Sequence, residues 1–161
     1  MVTEDSFKNI LGEYATSVTV VTTRIEDRMA GLTVSSFCSV SLTPPLILVC
    51  IEKDARSNKL LSEGADFTVN ILRNDQSDVS QRFAEPGLSM EDRLENLQYS
   101  LPERGGPILT DSLAWMTCEQ YDTTDGGDHV IYVGEVLNGD TATEGEPLLY
   151  HNGEYGSFHS S

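Results

Sequence analysis

The chain has 161 residues, of which 39% are hydrophobic, and its 26 acidic residues outnumber its 10 basic residues to give a formal charge of −16. This length is enough to bury a core, so we expect a single domain over residues 1–161. The charge disfavours nucleic acid and anionic membranes as partners, because an acidic surface repels both.

The basic residues include only three lysines, Lys8, Lys53 and Lys59. A surface so rich in carboxylates repels itself in dilute buffer, whereas about 1 M salt shortens the Debye length to about 3 Å and screens that repulsion. We therefore interpret the protein as halophilic, from a cell with a very salty cytoplasm. The alternative is an ordinary acidic protein.

No apolar run approaches the roughly 20 residues of a membrane-spanning helix. The first residues also lack the basic and apolar segments of a signal peptide, so we expect a cytoplasmic protein. The three cysteines, Cys38, Cys50 and Cys118, are odd in number and lack the spacing of metal ligands. We predict that they are small buried hydrophobic side chains and that the protein has no metal site.

The first predicted element is an amphipathic helix over about residues 5–14, because capping residues precede apolar residues at helical spacing. The β-branched residues of 17–23 predict a strand. A turn at Glu26-Asp27 then returns the chain through 28–36, and these two runs are predicted to pair as a hairpin.

The stretch Gly31–Ile51 contains two β runs that flank Pro44-Pro45, since proline cannot supply a ladder donor within a strand. The second run, 46–51, is almost wholly apolar and is predicted to be buried on both faces. In the first run hydroxyl residues alternate with apolar ones, which indicates either an ordinary strand or the lining of a polar ligand site. The face predicted to enter the core carries Val34, Cys38, Val40 and Leu42.

A polar loop follows the apolar strand, and Ser57 or Asn58 is predicted to cap a helix over about 58–63. Alternating residues then predict a strand over 66–72. Asn70 is a polar residue inside that apolar strand, so we expect its side chain to bond to the backbone or to a ligand.

Residues 75–84 are predicted to be helical, and 85–106 to form a long excursion with a weak helical piece near 90–95. Many strands with short turns and no alternation of strand and helix predict an antiparallel barrel or sandwich. The C-terminal third is predicted to contain strands over 114–122, 129–137, 148–150 and 155–158, with turns at 124–127, Asn138-Gly139 and Asn152-Gly153.

The chain resembles the flavin reductase family over about residues 7–158, because five motifs occur in the order that this family shows. The resemblance implies a mainly β, antiparallel Greek-key split β-barrel, the FMN-binding split barrel, with a few short helices. The motifs are Gly31-Leu32-Thr33-Val34-Ser35-Ser36-Phe37 with the Pro44-Pro45 bend, Phe67-Thr68-Val69-Asn70-Ile71-Leu72, Arg82-Phe83-Ala84, Gly127-Asp128-His129, and Pro147–Tyr150 with Gly153-Glu154-Tyr155.

The resemblance also implies an activity and partners. Members are usually homodimers that bind FMN or FAD, reduce it with NADH or NADPH, and often pass reduced flavin to a separate monooxygenase. A flavin-binding or storage protein with little turnover is the alternative, and a split barrel that holds a different ligand such as haem is a third possibility. The implied flavin contacts are Thr33, Val34, Ser35, Ser36, Cys50, Ile51, Arg56, Ser57, Asn58, Lys59, Arg82, Phe83 and Ala84.

The same residues suit a flavin chemically. Hydroxyls and backbone N–H groups serve the pyrimidine edge and ribityl chain, and Arg56 and Lys59 on either side of the Ser57 hydroxyl suit a phosphate. The alternative is that these two cations only neutralise an acidic surface. For Arg82 and Phe83 the alternative to a flavin contact is a solvated arginine beside a phenylalanine of the core.

His129 is the histidine that the resemblance assigns to chemistry, close to the flavin and the nicotinamide. It is expected to hold the pyridine nucleotide or to steady charge on the reduced ring. Because the hydride passes directly between the two rings, the protein mainly has to stack them. The alternative is a structural histidine at the start of a strand.

Overall fold

An antiparallel sheet of seven strands dominates the computed structural model, which describes residues 1–142 and 144–161. Within those residues no helix is long and apolar enough to cross a membrane. The helices are α1 Glu4–Gly12, α2 Arg56–Ser62, α3 Ser77–Ala84 and α4 Met90–Leu94. The strands are β1 Thr16–Ser17, β2 Thr19–Ile25, β3 Arg28–Val34, β4 Phe37–Leu42, β5 Pro45–Glu52, β6 Phe67–Ile71, β7 Tyr99–Ser100, β8 Ile108–Leu109, β9 Ala114–Gly126, β10 His129–Thr141, β11 Leu148–His151 and β12 Glu154–Ser157.

The order of strands in the large sheet is β3-β2-β6-β9-β10-β5-β4. Its two outermost strands, β3 and β4, are consecutive in the chain and are joined by Ser35 and Ser36 alone. The sheet must therefore curl until its two edges meet, yet no ladder joins them in the described part of the chain. This is the antiparallel split barrel that the family resemblance implies, and the fold class is confirmed.

The barrel encloses a core to which most of its strands contribute. Its inward side chains include Val21, Val49 and Phe67, none of which is accessible to solvent. A second apolar cluster, which includes Phe83 of α3, packs against the outside of the sheet. The strand predicted over 46–51 is confirmed as β5, although Leu48 and Cys50 in it are only partly buried.

The apolar face predicted for the run after Gly31 is wrong beyond Val34. Val34 is buried, whereas Cys38, Val40 and Leu42 on β4 are exposed. The cause is that β4 is an edge strand, paired on one side with β5 and covered by no other element of the described chain. The prediction that all three cysteines are buried is wrong for Cys38 for the same reason, and Cys50 is only partly buried.

Cys118 lies at the opposite extreme from Cys38. It is fully buried in β9, and burial raises the pKa of its thiol to about 12. The Cys118 thiol is therefore a small hydrophobic side chain, as predicted, and is inert as a thiolate.

Two local predictions are wrong because tertiary pairing takes precedence over propensity. Helix α2 begins one residue before Ser57, with Ala55 as a cap that lacks a side-chain hydrogen bond, so neither Ser57 nor Asn58 is the cap. Asn138 and Gly139 do not turn the chain, because they pair with Thr117 and Met116 within the long β9–β10 hairpin. A bulge between Val136 and Asn138 accommodates them in the strand.

Asn70 is a structural residue in β6, one of the two roles expected for it. Its amide nitrogen donates to the carbonyls of Val20 and Pro107 at 3.2 and 3.3 Å, and its amide oxygen accepts from the N–H of Leu109 at 2.8 Å. The side chain thus ties the segment before β8 across the sheet.

Replacing Asn70 with alanine leaves the buried N–H of Leu109 without this partner and removes one donor from the carbonyls of Val20 and Pro107, although Pro107 keeps its bond from the Thr22 hydroxyl. We expect Asn70→Ala to lower the free energy of unfolding by about 3 kcal/mol. Urea unfolding measures this, and Asn74→Ala is the matched control, because Asn74 is exposed and makes only a 3.4 Å bond to Glu146. Equal midpoints for the two variants would contradict the structural role.

Candidate functional site

The gap between the unpaired edges of β3 and β4 is the open seam of the barrel. A cavity of about 610 Å³ lies beside this seam, where β3 ends. Its walls are β3 with Ser35 and Ser36, the end of β5 and the start of α2, and the segment from the end of α3 to α4, with His129 at its edge. This volume is within the range of small-molecule sites, which span roughly 300–1,000 Å³.

The cavity brings together most of the site residues predicted from the sequence. Four of them lie elsewhere: Ile51 is in the core, Asn58 binds the Tyr132 hydroxyl and the Lys53 carbonyl, and Lys59 and Arg82 point away from the lining. Those that line the cavity are Thr33, Val34, Ser35, Ser36, Cys50, Arg56, Ser57, Phe83, Ala84 and His129.

One wall forms where α3 packs on β3. The Thr33 hydroxyl donates to the carbonyl of Ser80 at 2.6 Å, and the Phe83 ring lies beside Gly31. A Cβ atom at Gly31 would lie 2.9 Å from that ring, so only glycine permits this approach without a shift of Phe83. The Phe83 ring therefore packs tightly against β3, with only 1% of the residue exposed, and closes the base of the cavity.

The seam itself supplies polar groups. Ser36 and Cys50 exchange hydrogen bonds, since the Ser36 hydroxyl donates to the Cys50 carbonyl at 3.0 Å and the Cys50 N–H donates to the Ser36 carbonyl at 3.1 Å. Thr33 also donates its hydroxyl proton within the protein. Ser35 is exposed, and its hydroxyl has no protein partner among the described residues, so it is free to serve a ligand.

Arg56 and Ser57 form the cationic end of the cavity. Arg56 is exposed there and makes no ion pair within the described residues, and Ser57 is buried. The Ser57 hydroxyl likewise forms no hydrogen bond with any described residue. An unpaired guanidinium beside a hydroxyl that no described residue engages fits a phosphate group.

Arg93 of α4 also lines the cavity, and sequence reasoning missed it. Burial lowers the pKa of its guanidinium, as does, to a smaller extent, the positive charge of Arg56, while Glu85 acts in the opposite direction. The sequence signal was only a basic residue in a weakly helical stretch, so nothing local connected it with a site formed by β3 and α2.

His129 begins β10 opposite Glu52, at the edge of the cavity. Its Nδ1 lies 2.7 Å from a carboxylate oxygen of Asp128, and this hydrogen bond, together with the charge of the imidazole, lowers the pKa of Asp128. The pairing orients the ring and leaves Nε2 available to a ligand.

Comparison with known proteins agrees with this geometry. A family model described as a flavin reductase like domain matches residues 11–159. The FMN reductase (NADH) SmoA of Agrobacterium fabrum is 38% identical over 153 residues, which cover 95% of this chain and 85% of that protein.

Two further relatives extend the comparison. The flavin-dependent monooxygenase reductase subunit HsaB of Mycobacterium tuberculosis is 37% identical over 152 residues, covering 93% of this chain and 80% of that protein. The NADH:FAD oxidoreductase SgcE6 of Streptomyces globisporus, solved with NAD and FAD fragments, superposes with a TM-score of 0.89 at 31% identity and covers 96% of this chain and 92% of that one.

Proposed function

The chain belongs to the flavin reductase family and is an NAD(P)H-dependent flavin reductase, and we propose that the cavity beside the barrel seam is where flavin and nicotinamide meet. The observation that carries this assignment is the convergence of the apolar Phe83 wall, the seam hydroxyls and the Arg56–Ser57 end on one cavity. A flavin needs these three surfaces for its ring, its polar edge and its phosphate.

The residues present fit FMN, or the FMN half of FAD. The β3–Phe83 wall would take the ring, the Ser35 hydroxyl and the seam backbone would serve its polar edge, and Arg56 and Ser57 would hold the phosphate. Bound flavin supplies the N5 atom that accepts the hydride from nicotinamide C4. The walls contribute mainly by holding the two rings face to face and by excluding water from between them.

His129 is the residue we assign to the nicotinamide side. Because Asp128 engages Nδ1, Nε2 is the atom left to bond to the dinucleotide or to stabilise negative charge at the cavity edge. Asp128 is then a positioning residue, since it contacts the imidazole and does not line the cavity.

Assembly follows from apolar surface that the described chain leaves open. Helix α1 buries none of its residues and exposes Phe7, Ile10 and Leu11, and the edge strand β4 exposes Val40. We infer that a second copy covers such surface in a homodimer, because side chains of this size on one monomer indicate a contact surface. Relatives that serve monooxygenases support a flavin-dependent monooxygenase as the consumer of the reduced flavin.

The compartment and the salt dependence are also proposals. Three free cysteines, one of them exposed, suit a reducing cytoplasm. The charge of −16 supports the halophilic interpretation, because the many acids that remain unpaired repel one another at low salt.

The activity is tested by following NADH and NADPH oxidation with and without added FMN or FAD, at low and at molar salt. We expect oxidation to depend on the flavin. Flavin binding without oxidation under any of these conditions would instead indicate the storage protein, and a protein that binds no flavin would remove both functions.

Ser57→Ala and Arg56→Ala should weaken FMN binding and leave riboflavin binding nearly unchanged, because only FMN carries the phosphate. Loss of one charge-assisted bond costs about 1.5–3 kcal/mol, or roughly ten- to a hundredfold in the dissociation constant. Flavin fluorescence measures the dissociation constants of FMN and riboflavin for each variant. Ser62→Ala is the control, since its hydroxyl bonds to the Lys59 carbonyl at the far end of the same helix. An equal loss for both flavins would place the phosphate elsewhere.

His129→Ala should raise KM for the dinucleotide or lower kcat by about tenfold, while the dissociation constant of FMN stays the same. The reason is that we assign His129 to the nicotinamide and the phosphate to Arg56 and Ser57. Steady-state kinetics measure the effect, and His151→Ala is the control because His151 is exposed outside the cavity. Unchanged kinetics would return His129 to a structural role.

The thermal midpoint should rise between about 0.1 and 3 M KCl, over which the Debye length falls from roughly 10 Å to below 3 Å. Salt also weakens exposed ion pairs such as Lys8–Glu4, but carboxylates far outnumber cations, so screening of repulsion dominates. Sorbitol of matched osmolality is the control. A midpoint that is flat or falls with KCl would refute the halophilic interpretation and leave the activity untouched.

A further inference from the structure

Helices α3 and α4 are linked by two arginines, each of which donates hydrogen bonds to backbone carbonyls of the other helix or of the residue just after it. Arg82 of α3 donates to the carbonyl of Glu95, just past α4, at 2.6 Å. Arg93 of α4 reaches back and donates to the carbonyls of Arg82, at 3.3 Å, and of Phe83. Each arginine thereby satisfies carbonyls at the C-terminal end of the other helix, where cations are also favoured by the helix dipole.

Arg93 does more than Arg82, because it also holds the segment that follows α3. Its guanidinium donates to the carbonyl of Glu85 at 2.7 Å, and its Nε donates to the carbonyl of Leu88 at 3.4 Å. Within the described residues no backbone N–H donates to either carbonyl. The side chain of Arg93 therefore replaces the secondary structure that this segment lacks.

The segment Phe83–Leu88 is one wall of the cavity. Its residues Ala84 to Gly87 are exposed, so packing does not hold them in place. The guanidinium carbon of Arg93 lies 5.9 Å from the centre of the Phe83 ring, which adds a cation–π contact at the base of the wall. Arg93 is thus the common partner of both ends of the wall.

The position of the Arg93 guanidinium is electrostatically unfavourable. Arg93 is half-buried and shares the cavity with Arg56, and both effects lower its pKa. A cation kept in such a place needs compensation, and the four carbonyls supply it. Only the planar fork of arginine presents five N–H donors in several directions, whereas a lysine ammonium presents three at a single point.

We propose that Arg93 is a positioning residue that builds the Phe83–Leu88 wall of the flavin cavity before flavin arrives. The proposal rests on the function proposed above. A wall formed in advance saves the entropy of ordering an exposed segment at the moment of binding, so Arg93 contributes to flavin affinity without touching the phosphate.

The test compares Arg93→Lys, which keeps the charge and most of the stem, with Arg93→Met, which removes the charge. Dissociation constants for FMN and riboflavin are measured by flavin fluorescence. Because several bonds to one guanidinium are lost, we expect both variants to bind both flavins about tenfold or more weakly. In Arg93→Lys, which keeps the charge, the ratio of FMN to riboflavin affinity stays at the wild-type value, since the wall meets the ring that both flavins share.

The matched control is Arg104→Lys. The Arg104 fork bridges Asp66 and Glu119 outside the cavity, so this variant loses comparable bonds and should keep wild-type flavin affinity. Hydrogen exchange supplies a second readout, with faster exchange expected at the amides of residues 84–88 in Arg93→Lys. If Arg93→Met does not fold, the lysine variant and its exchange pattern decide alone.

Three outcomes would overturn the proposal. If Arg93→Lys keeps wild-type flavin affinity while Arg93→Met loses it, the charge is decisive. If the loss of affinity is confined to FMN, Arg93 is a phosphate ligand. If both variants keep wild-type affinity, Arg93 has no role in flavin binding. If the wild-type protein binds flavin but oxidises neither NADH nor NADPH, the activity is contradicted but the proposal for Arg93 is not. The flavin affinities of the variants still test that proposal.

Discussion

The interruption of the hydrogen-bond ladder between β3 and β4 is the constraint on which the rest of this structure depends. Two serines are all that joins these strands, so the edges of the sheet are brought together but left unpaired. Unpaired edges expose backbone donors and acceptors, which a soluble protein normally covers. Here the seam is lined by Ser35, Ser36 and Cys50 and opens into the cavity, so it becomes the polar edge of a ligand site.

The seam is usable only because its surroundings are rigid. Asn70 ties the segment before β8 to the sheet, and Thr22 and Thr68 add bonds to the carbonyls of Pro107 and Gly106 at 2.7 and 2.8 Å. These buried polar groups are fully partnered, so they hold β2 and β6 in one register. The strand β3 that carries the cavity wall pairs directly with β2 and inherits that order.

The cavity carries both signs of charge, because Glu52, Asp54 and Glu85 line it together with Arg56 and Arg93. A chain of charge −16 places two of its arginines, Arg56 and Arg93, in the same cavity, where burial and then the positive charge of Arg56 lower the pKa of the Arg93 guanidinium. An anionic ligand relieves this repulsion at Arg56, and bonds to carbonyls offset it at Arg93. A phosphate therefore depends on direct contact with Arg56 and Ser57, because the overall charge repels it, and salt screens that long-range repulsion most effectively.

The sequence by itself determined what short-range patterns can encode. Turns at Glu26-Asp27 and Asn152-Gly153, the apolar strand β5 and the motifs of the family were all readable, because residue type and period fix local conformation. Only the tertiary structure decided that β4 is an exposed edge, that Asn138-Gly139 stays within a strand, and that Arg93 reaches the cavity. The physical reason is that edge position, ladder length and the neighbours of a side chain depend on pairing between distant segments, to which a local pattern is blind.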